Sequence, residues 1–364
     1  MRLMRRTFLA LVVALAGLGV AASPASAHSV SGVSATNFRT NLTVVEPGRP
    51  GLTVKVVEAG SRLEVENRTG VELVVFGYKD PPDPYLRIGP DGVYQNRLSP
   101  ATYINASREG EDPPARAKDA ASGDTDWEKV SSEPVARFHD HRIHWMAPSN
   151  PPQVRDNPDE RHVIFDEWVV PMRLGADPVS VKGELVWEPG PSALPWFALV
   201  AALIAVVVVV GRRPGWAAGL AAVTAVLVAV DMFHALGLGL ANAGELGERV
   251  VKSVTQAPLA LLDWVAGAVA ILWLRRKGTD GLPVAVLAGL LVAFLGGVSD
   301  VDALSSSEVP FGFGAGLARL TVAASLGLGF GLALSAGLRL GGVWGSSGRP
   351  APAREDPVAA PAAT

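Results

Sequence analysis

The sequence contains no cysteine. That absence removes disulfides, thiolate metal sites, cysteine nucleophiles and redox dithiols, so an exported domain of this chain must be held by its core alone. Histidine is scarce too, with six in 364 residues. No G-x-S-x-G, H-E-x-x-H or phosphate-cradling glycine loop occurs, and the acidic residues show no spacing that marks an acid/base pair. The chain is therefore read as a non-enzyme. Its net charge is only -3 and no basic stripe is present, so nothing points to a nucleic-acid partner.

What is present divides sharply by composition. Arg2, Arg5 and Arg6 precede a short apolar run, Phe8 to Val20, and the small-residue cleavage site Ala25-Ser26-Ala27. These features predict a signal peptide over residues 1–27, exported by the Sec or the twin-arginine route. Cleavage there makes His28 the first mature residue. A free amine and an imidazole on one residue can chelate a metal together. Three N-x-S/T sequons (Asn41, Asn67 and Asn105) are taken as chance.

Residues 28–190 are mixed, charged and proline-rich. Short β-rich runs at 52–57, 62–66, 71–78, 85–88, 135–141, 162–165, 168–174 and 179–187 are separated by Gly, Pro, Asn and Asp. That pattern predicts an all-β antiparallel sandwich. Residues 108–126 read as a flexible loop.

The informative segment is Arg137-Phe138-His139-Asp140-His141-Arg142-Ile143-His144-Trp145-Met146, which holds three of the six histidines. If 135–141 is one strand, its period of two puts His139 and His141 on one face. His144 and Met146 can complete a site if the chain turns there, and imidazole with thioether suits copper. Asp140 or Asp166 can orient a ligand histidine, and His162 is a further candidate. The competing reading is a solvated histidine face with no metal.

Residues 194–339 are dominated by Ala, Leu, Val and Gly and carry five apolar stretches, at about 194–211, 216–238, 258–274, 282–299 and 315–338. They predict a five-helix membrane bundle embedded in lipid. Arg212, Arg213, Arg275, Arg276, Lys277, Arg349 and Arg354 fall on one side, which the positive-inside rule makes cytoplasmic. Residues 28–190 then lie outside, and the tail over 345–364, rich in Ala and Pro, reads as a disordered cytoplasmic end. Asp231, His234, Asp263, Asp300, Asp302 and Arg319 all fall in the outer part of these spans. Ionisable residues there are functional candidates by default. They form a polar cavity for a metal ion or proton, an ion-pair network in which Arg319 meets an Asp, or a set that snorkels to the interface.

The start Ala27 to Asn37, the segment His139 to Met146 and the five-span region resemble an uncharacterised family of actinobacterial exported membrane proteins. A β domain with an N-terminal histidine followed by a membrane bundle is also similar in plan to fused CopC–CopD-type copper-resistance proteins. That resemblance implies a membrane-anchored metal-handling protein, copper being the metal, with His28, His139, His141, His144 and Met146 as ligands. The alternative is a structural or interaction component of the cell envelope, with a protein partner and no metal.

Overall fold

A computed structural model describes residues 34–107, 110–255 and 259–344. The expected signal peptide, His28 and the tail over 345–364 lie outside the described residues.

The clearest alternation, at 52–57 and 62–66, forms the hairpin β2 (Leu52–Val57) and β3 (Arg62–Asn67). Leu63 and Val65 are buried there while Arg62, Glu64 and Glu66 face outward. Ten strands in two antiparallel sheets occur among the described residues. The larger sheet runs β1 (Phe38–Glu46), β10 (Asp177–Trp187), β9 (His162–Leu174), β4 (Leu73–Phe76), β5 (Pro84–Gly89), β6 (Gly92–Asn96) and β7 (Trp127–Ser131). The smaller sheet runs β2, β3 and β8 (Val135–Phe138). Leu63, Val65, Ala136 and Phe138 of the small sheet share one core with Val75, Tyr85, Ile88, Val170 and Met172 of the large one.

Two departures from the sequence reading concern this domain. The strand expected over 135–141 ends at Phe138. Asp140 then accepts a hydrogen bond from the Arg142 amide and caps a 3-10 turn over His141–Ile143. The segment 108–126 is pinned rather than loose among its described residues: Ala117 is fully buried in a helical turn over Ala115–Asp119, and Lys79 Nζ donates to the Ala120 carbonyl. Asn67 is buried, its amide donating to the carbonyls of Val71 and Ile88, so its sequon is a structural cross-link.

Four helical stretches among the described residues are long and apolar enough to cross a membrane, and they support membrane association. They are α1 (Leu194–Arg212), α2 (Trp216–Ala241), a 39-residue stretch over Ala260–Val298, and α6 (Ala315–Leu340). Between α2 and the third stretch lies α3 (Leu246–Thr255). The third stretch is interrupted. Its first part is α4 (Ala260–Lys277), after which Gly278 takes φ +55° and the chain folds back, so that α5 (Leu282–Val292) packs against α4. α5 continues into a π-helical turn over Ala293–Val298.

The β domain is seated on one end of the bundle. Thr36 and Glu308 form an antiparallel bridge with two backbone hydrogen bonds of 2.9 Å. Arg39 Nε lies 2.6 Å from Glu308 Oε1, and the Ser307 amide donates to Asn37 Oδ1 at 2.8 Å. Gly190 packs directly on the Ser305 carbonyl: a Cβ there would stand 1.6 Å from that oxygen. At the opposite end Arg339 donates to the Gly211 carbonyl and stacks over Trp216, so the basic ends of α1 and α6 lie together, away from the β domain.

Candidate functional site

The histidine segment begins where β8 ends. His139 and His144 are both buried, 5% and 6% exposed, and they converge on one atom. His139 Nδ1 lies 2.8 Å from the Ser61 carbonyl oxygen and His144 Nε2 lies 2.9 Å from it. Arg62 Nε donates to His139 Nε2 at 3.0 Å, which requires Nδ1 of that ring to carry the proton it donates to Ser61. Burial, and next the Arg62 guanidinium, pushes the His139 imidazole below its ordinary range, so the ring is held neutral. Both rings therefore brace the β2–β3 turn. That turn holds Glu58, Ala59 and Gly60 at φ of +54°, +53° and +89°. Two non-glycine residues in the left-handed region are strained and persist only where surrounding contacts hold them. The turn also reaches the bundle: Glu58 pairs with Arg62 at 3.3 Å and lies 3.4 Å from the Ala243 amide just beyond α2.

The other candidates of this segment go elsewhere. His141 lies in the 3-10 turn with Nε2 3.4 Å from the Ser107 carbonyl. It does not share a strand face with His139, because no strand passes through it. Met146 is 42% exposed, and His162 contacts the Asn157 carbonyl at 2.7 Å in an exposed position. Asp166 is exposed and accepts only the Glu167 amide among the described residues. Asp140 orients an arginine rather than a histidine: it is fully buried and takes Arg142 Nε at 2.8 Å and Nη2 at 2.5 Å. Arg142 continues to the Phe76 carbonyl at 3.0 Å and lies over the Tyr78 ring. The Tyr78 hydroxyl receives the His141 amide and donates to Asn105 Oδ1 at 2.6 Å. Burial, then the Asp140 charge, pushes that hydroxyl up. Among the described residues no group of three or more His, Asp or Glu side chains stands close enough to hold a metal ion.

A cleft of about 430 Å³ opens beside this network. It lies where β7 and β8, an edge strand of each sheet, diverge from one another. Leu86, Val93 and Phe138 give it apolar walls, while Gln95, Thr102, Asn105 and His139 give it polar ones. The Asn105 amide Nδ2 is buried and makes no close hydrogen bond among the described residues, although its side chain interacts with the buried Tyr85 hydroxyl on the cleft wall. A buried donor left unmade costs about 1–3 kcal/mol, so this atom marks where an acceptor belongs.

In the bundle, Asp231, His234 and Asp263 are all buried. Trp264 Nε1 donates to Asp231 Oδ2 at 2.7 Å. Thr321 donates its hydroxyl to the Ala318 carbonyl and so accepts from His234 Nδ1 at 2.8 Å; His234 Nε2 lies 3.2 Å from Asp300 Oδ2. Two of the six sequence candidates stand apart from this group. Asp302 is exposed, and Arg319 meets no aspartate among the described residues but donates to the carbonyls of Ala303 and Ser306. The partners Ser61, Arg62, Tyr78, Asn105, Trp264 and Thr321 escaped the sequence reading. Of these only Thr321 and Trp264 left a trace in the sequence, as polar-capable residues inside apolar runs.

Protein-family models, curated proteins and solved structures yield no match to this chain. Function is therefore argued from the sites alone.

Proposed function

We propose that the chain is a multi-pass protein of the cell membrane that presents a ligand-binding β domain on the extracytoplasmic side. The observation that carries this reading is the inter-sheet cleft with the under-satisfied Asn105 amide on its wall. Its volume falls in the range of small-molecule sites, and apolar walls with a few polar groups are the usual lining. Its polar lining comprises the Asn105 amide, Gln95, Thr102, a neutral His139 and the guanidinium groups of Arg62 and Arg137. They suit a partly apolar molecule bearing a carbonyl or carboxylate acceptor.

The orientation rests on charge. The Arg212 and Arg339 ends of the bundle lie together and opposite the β domain, which by the positive-inside rule puts the domain outside and the end of α6 inside. Five crossings fit the bundle better than four. A straight helix of 39 residues would run about 58 Å, nearly twice a ~30 Å hydrocarbon core, whereas α4 and α5 lie side by side.

The test is native mass spectrometry of the full chain released from its own membranes. A small-molecule adduct is expected, and Ala106→Trp, at the exposed mouth of the cleft, should abolish it without changing the fold. An adduct-free wild type, or an adduct that survives the substitution, contradicts the reading.

A second reading, copper handling, draws on the convergence of His139 and His144 on one carbonyl. Copper would have to replace the bonds to Ser61, with His28 supplying amine and imidazole nitrogens; His141 and Met146 would stay outside the set. Copper titration of the full chain in detergent tests it. Binding that is absent, or indifferent to His139→Ala and His144→Ala, sinks it.

A further inference from the structure

A different observation, in the bundle and independent of the cleft, carries a second site. Asp263 on α4 is 1% exposed, and neither of its carboxylate oxygens has a hydrogen-bond partner among the described residues. Gly267, one turn along the same helix, abuts Val228 of α2. One turn outward on each helix brings Asp263 and Asp231 to the same level, and Trp264, the residue next to Asp263, reaches across to Asp231. Among the described residues Asp231 accepts one hydrogen bond, from Trp264 on Oδ2. Its Oδ1 faces Gly296, where a Cβ would stand 2.4 Å from it. The same Cβ position lies 3.6 Å from Ser325 Oγ, a wholly buried hydroxyl that also lacks a partner among the described residues. Gly296 belongs to the π-helical turn, a distortion that often marks functional sites in helices.

We propose that Asp231 and Asp263, with the Ser325 hydroxyl beside them, form a binding site for one exchangeable proton in the outer half of the bundle. Two ionised carboxylates in an apolar interior without a counter-ion are prohibitively costly. Among the described residues no cation forms an ion pair with either aspartate. Arg319 is spent on the Ala303 and Ser306 carbonyls, and His234, one turn outward of Asp231, is held by Thr321 and Asp300. At the outer end Arg249 is bound to the Leu240 carbonyl and Lys252 to the Ala243 carbonyl. The pair therefore holds a single negative charge and a proton. Its donors are oxygens only, and among the described residues no third acidic group stands close enough to complete a metal site. Beside His234 and Asp300 a void of about 20 Å³, capped by Ala35 and Phe311, is large enough for one water and lies toward the β domain. It supplies the place where a proton enters or leaves.

The experiment uses dicyclohexylcarbodiimide on the full chain in detergent, read by peptide mass spectrometry. The reagent adds to a protonated carboxyl: the acid proton moves to one carbodiimide nitrogen and the carboxyl oxygen bonds the central carbon. The adduct then rearranges to a stable acylurea with no group lost. The expected result is a single adduct on Asp263, reduced in Asp231→Asn because the lone carboxyl is then free to ionise, lost in Asp263→Asn without transfer to Asp231, and unchanged by sodium ions at constant pH. An unmodified Asp263, an adduct on Asp231 in Asp263→Asn, or protection by sodium overturns the assignment. Infrared spectroscopy of the wild type removes dependence on variant folding: a protonated-carboxyl stretch that shifts in heavy water is expected, and its absence contradicts the proposal.

Discussion

Asp140→Ala tests the network that sets the histidine segment. Asp140 is fully buried and bound twice by Arg142, whose side chain is 20% exposed. It also accepts the Arg142 amide at 3.0 Å. Truncation leaves a mostly buried guanidinium without its counter-charge, a change that costs about 3–5 kcal/mol in buried pairs. Partial exposure of Arg142 puts the expectation at the lower end, about 3 kcal/mol. With a urea slope of about 2 kcal/mol per molar, the unfolding midpoint of the β domain should fall by about 1.5 M. Pulse proteolysis of the full chain in detergent reads that midpoint without interference from the helices. Asp140→Leu with Arg142→Met, which removes both charges, should recover most of the loss. A shift below about 0.3 M for Asp140→Ala would refute the reasoning, because the pair would then be effectively solvated.

Two further outcomes follow from the same geometry. Because burial holds His139 below its ordinary value of 6.5, its contribution to stability is complete above that pH and is lost as pH falls toward the folded-state value. The midpoint of the wild type should decline more steeply below pH 6.5 than that of His139→Asn, which keeps a donor for Ser61 but cannot titrate; parallel pH profiles would contradict this. Gly190→Ala should loosen the joint, since its Cβ would collide with the Ser305 carbonyl. Faster hydrogen exchange at the Thr36 and Glu308 amides is the expected readout, and unchanged exchange would show that the contact is adaptable.

How much was legible in the sequence depended on how local the cause was. β2, β3 and β10 follow from alternation, because their inward positions are apolar and their outward ones are mostly polar or charged. β9 read as two pieces because Asp166 and Glu167 interrupt its apolar pattern, although the strand runs through them. β1 and β7 are sheet edges with mostly exposed side chains, so alternation was weak there. β6 is only five residues long. The end of β8 escaped notice because it is set by a cap, Asp140 on the Arg142 amide, rather than by hydrophobicity. The acidic and histidine residues of the bundle stood out against an apolar background. Their partners did not, since a Ser or Thr in a helix commonly bonds its own backbone, and nothing local shows that Ser325 does otherwise. The meeting of His139 and His144 at Ser61 depends on pairing across the small sheet, with Leu63 opposite Phe138; no spacing along the chain encodes it.

The central claim is that the β domain and the bundle form one body, and the Thr36–Glu308 bridge tests it most directly. Its two hydrogen bonds make it a hydrogen-bonded antiparallel pair, for which Cα atoms stand about 5.5 Å apart, inside the range a disulfide spans. The chain has no cysteine of its own, so Thr36→Cys with Glu308→Cys creates a single possible bridge. Mild oxidation in native membranes should consume both thiols and give one intramolecular disulfide in the intact monomer. Two thiols that remain open to alkylation after oxidation, or that link only between chains, would contradict the account.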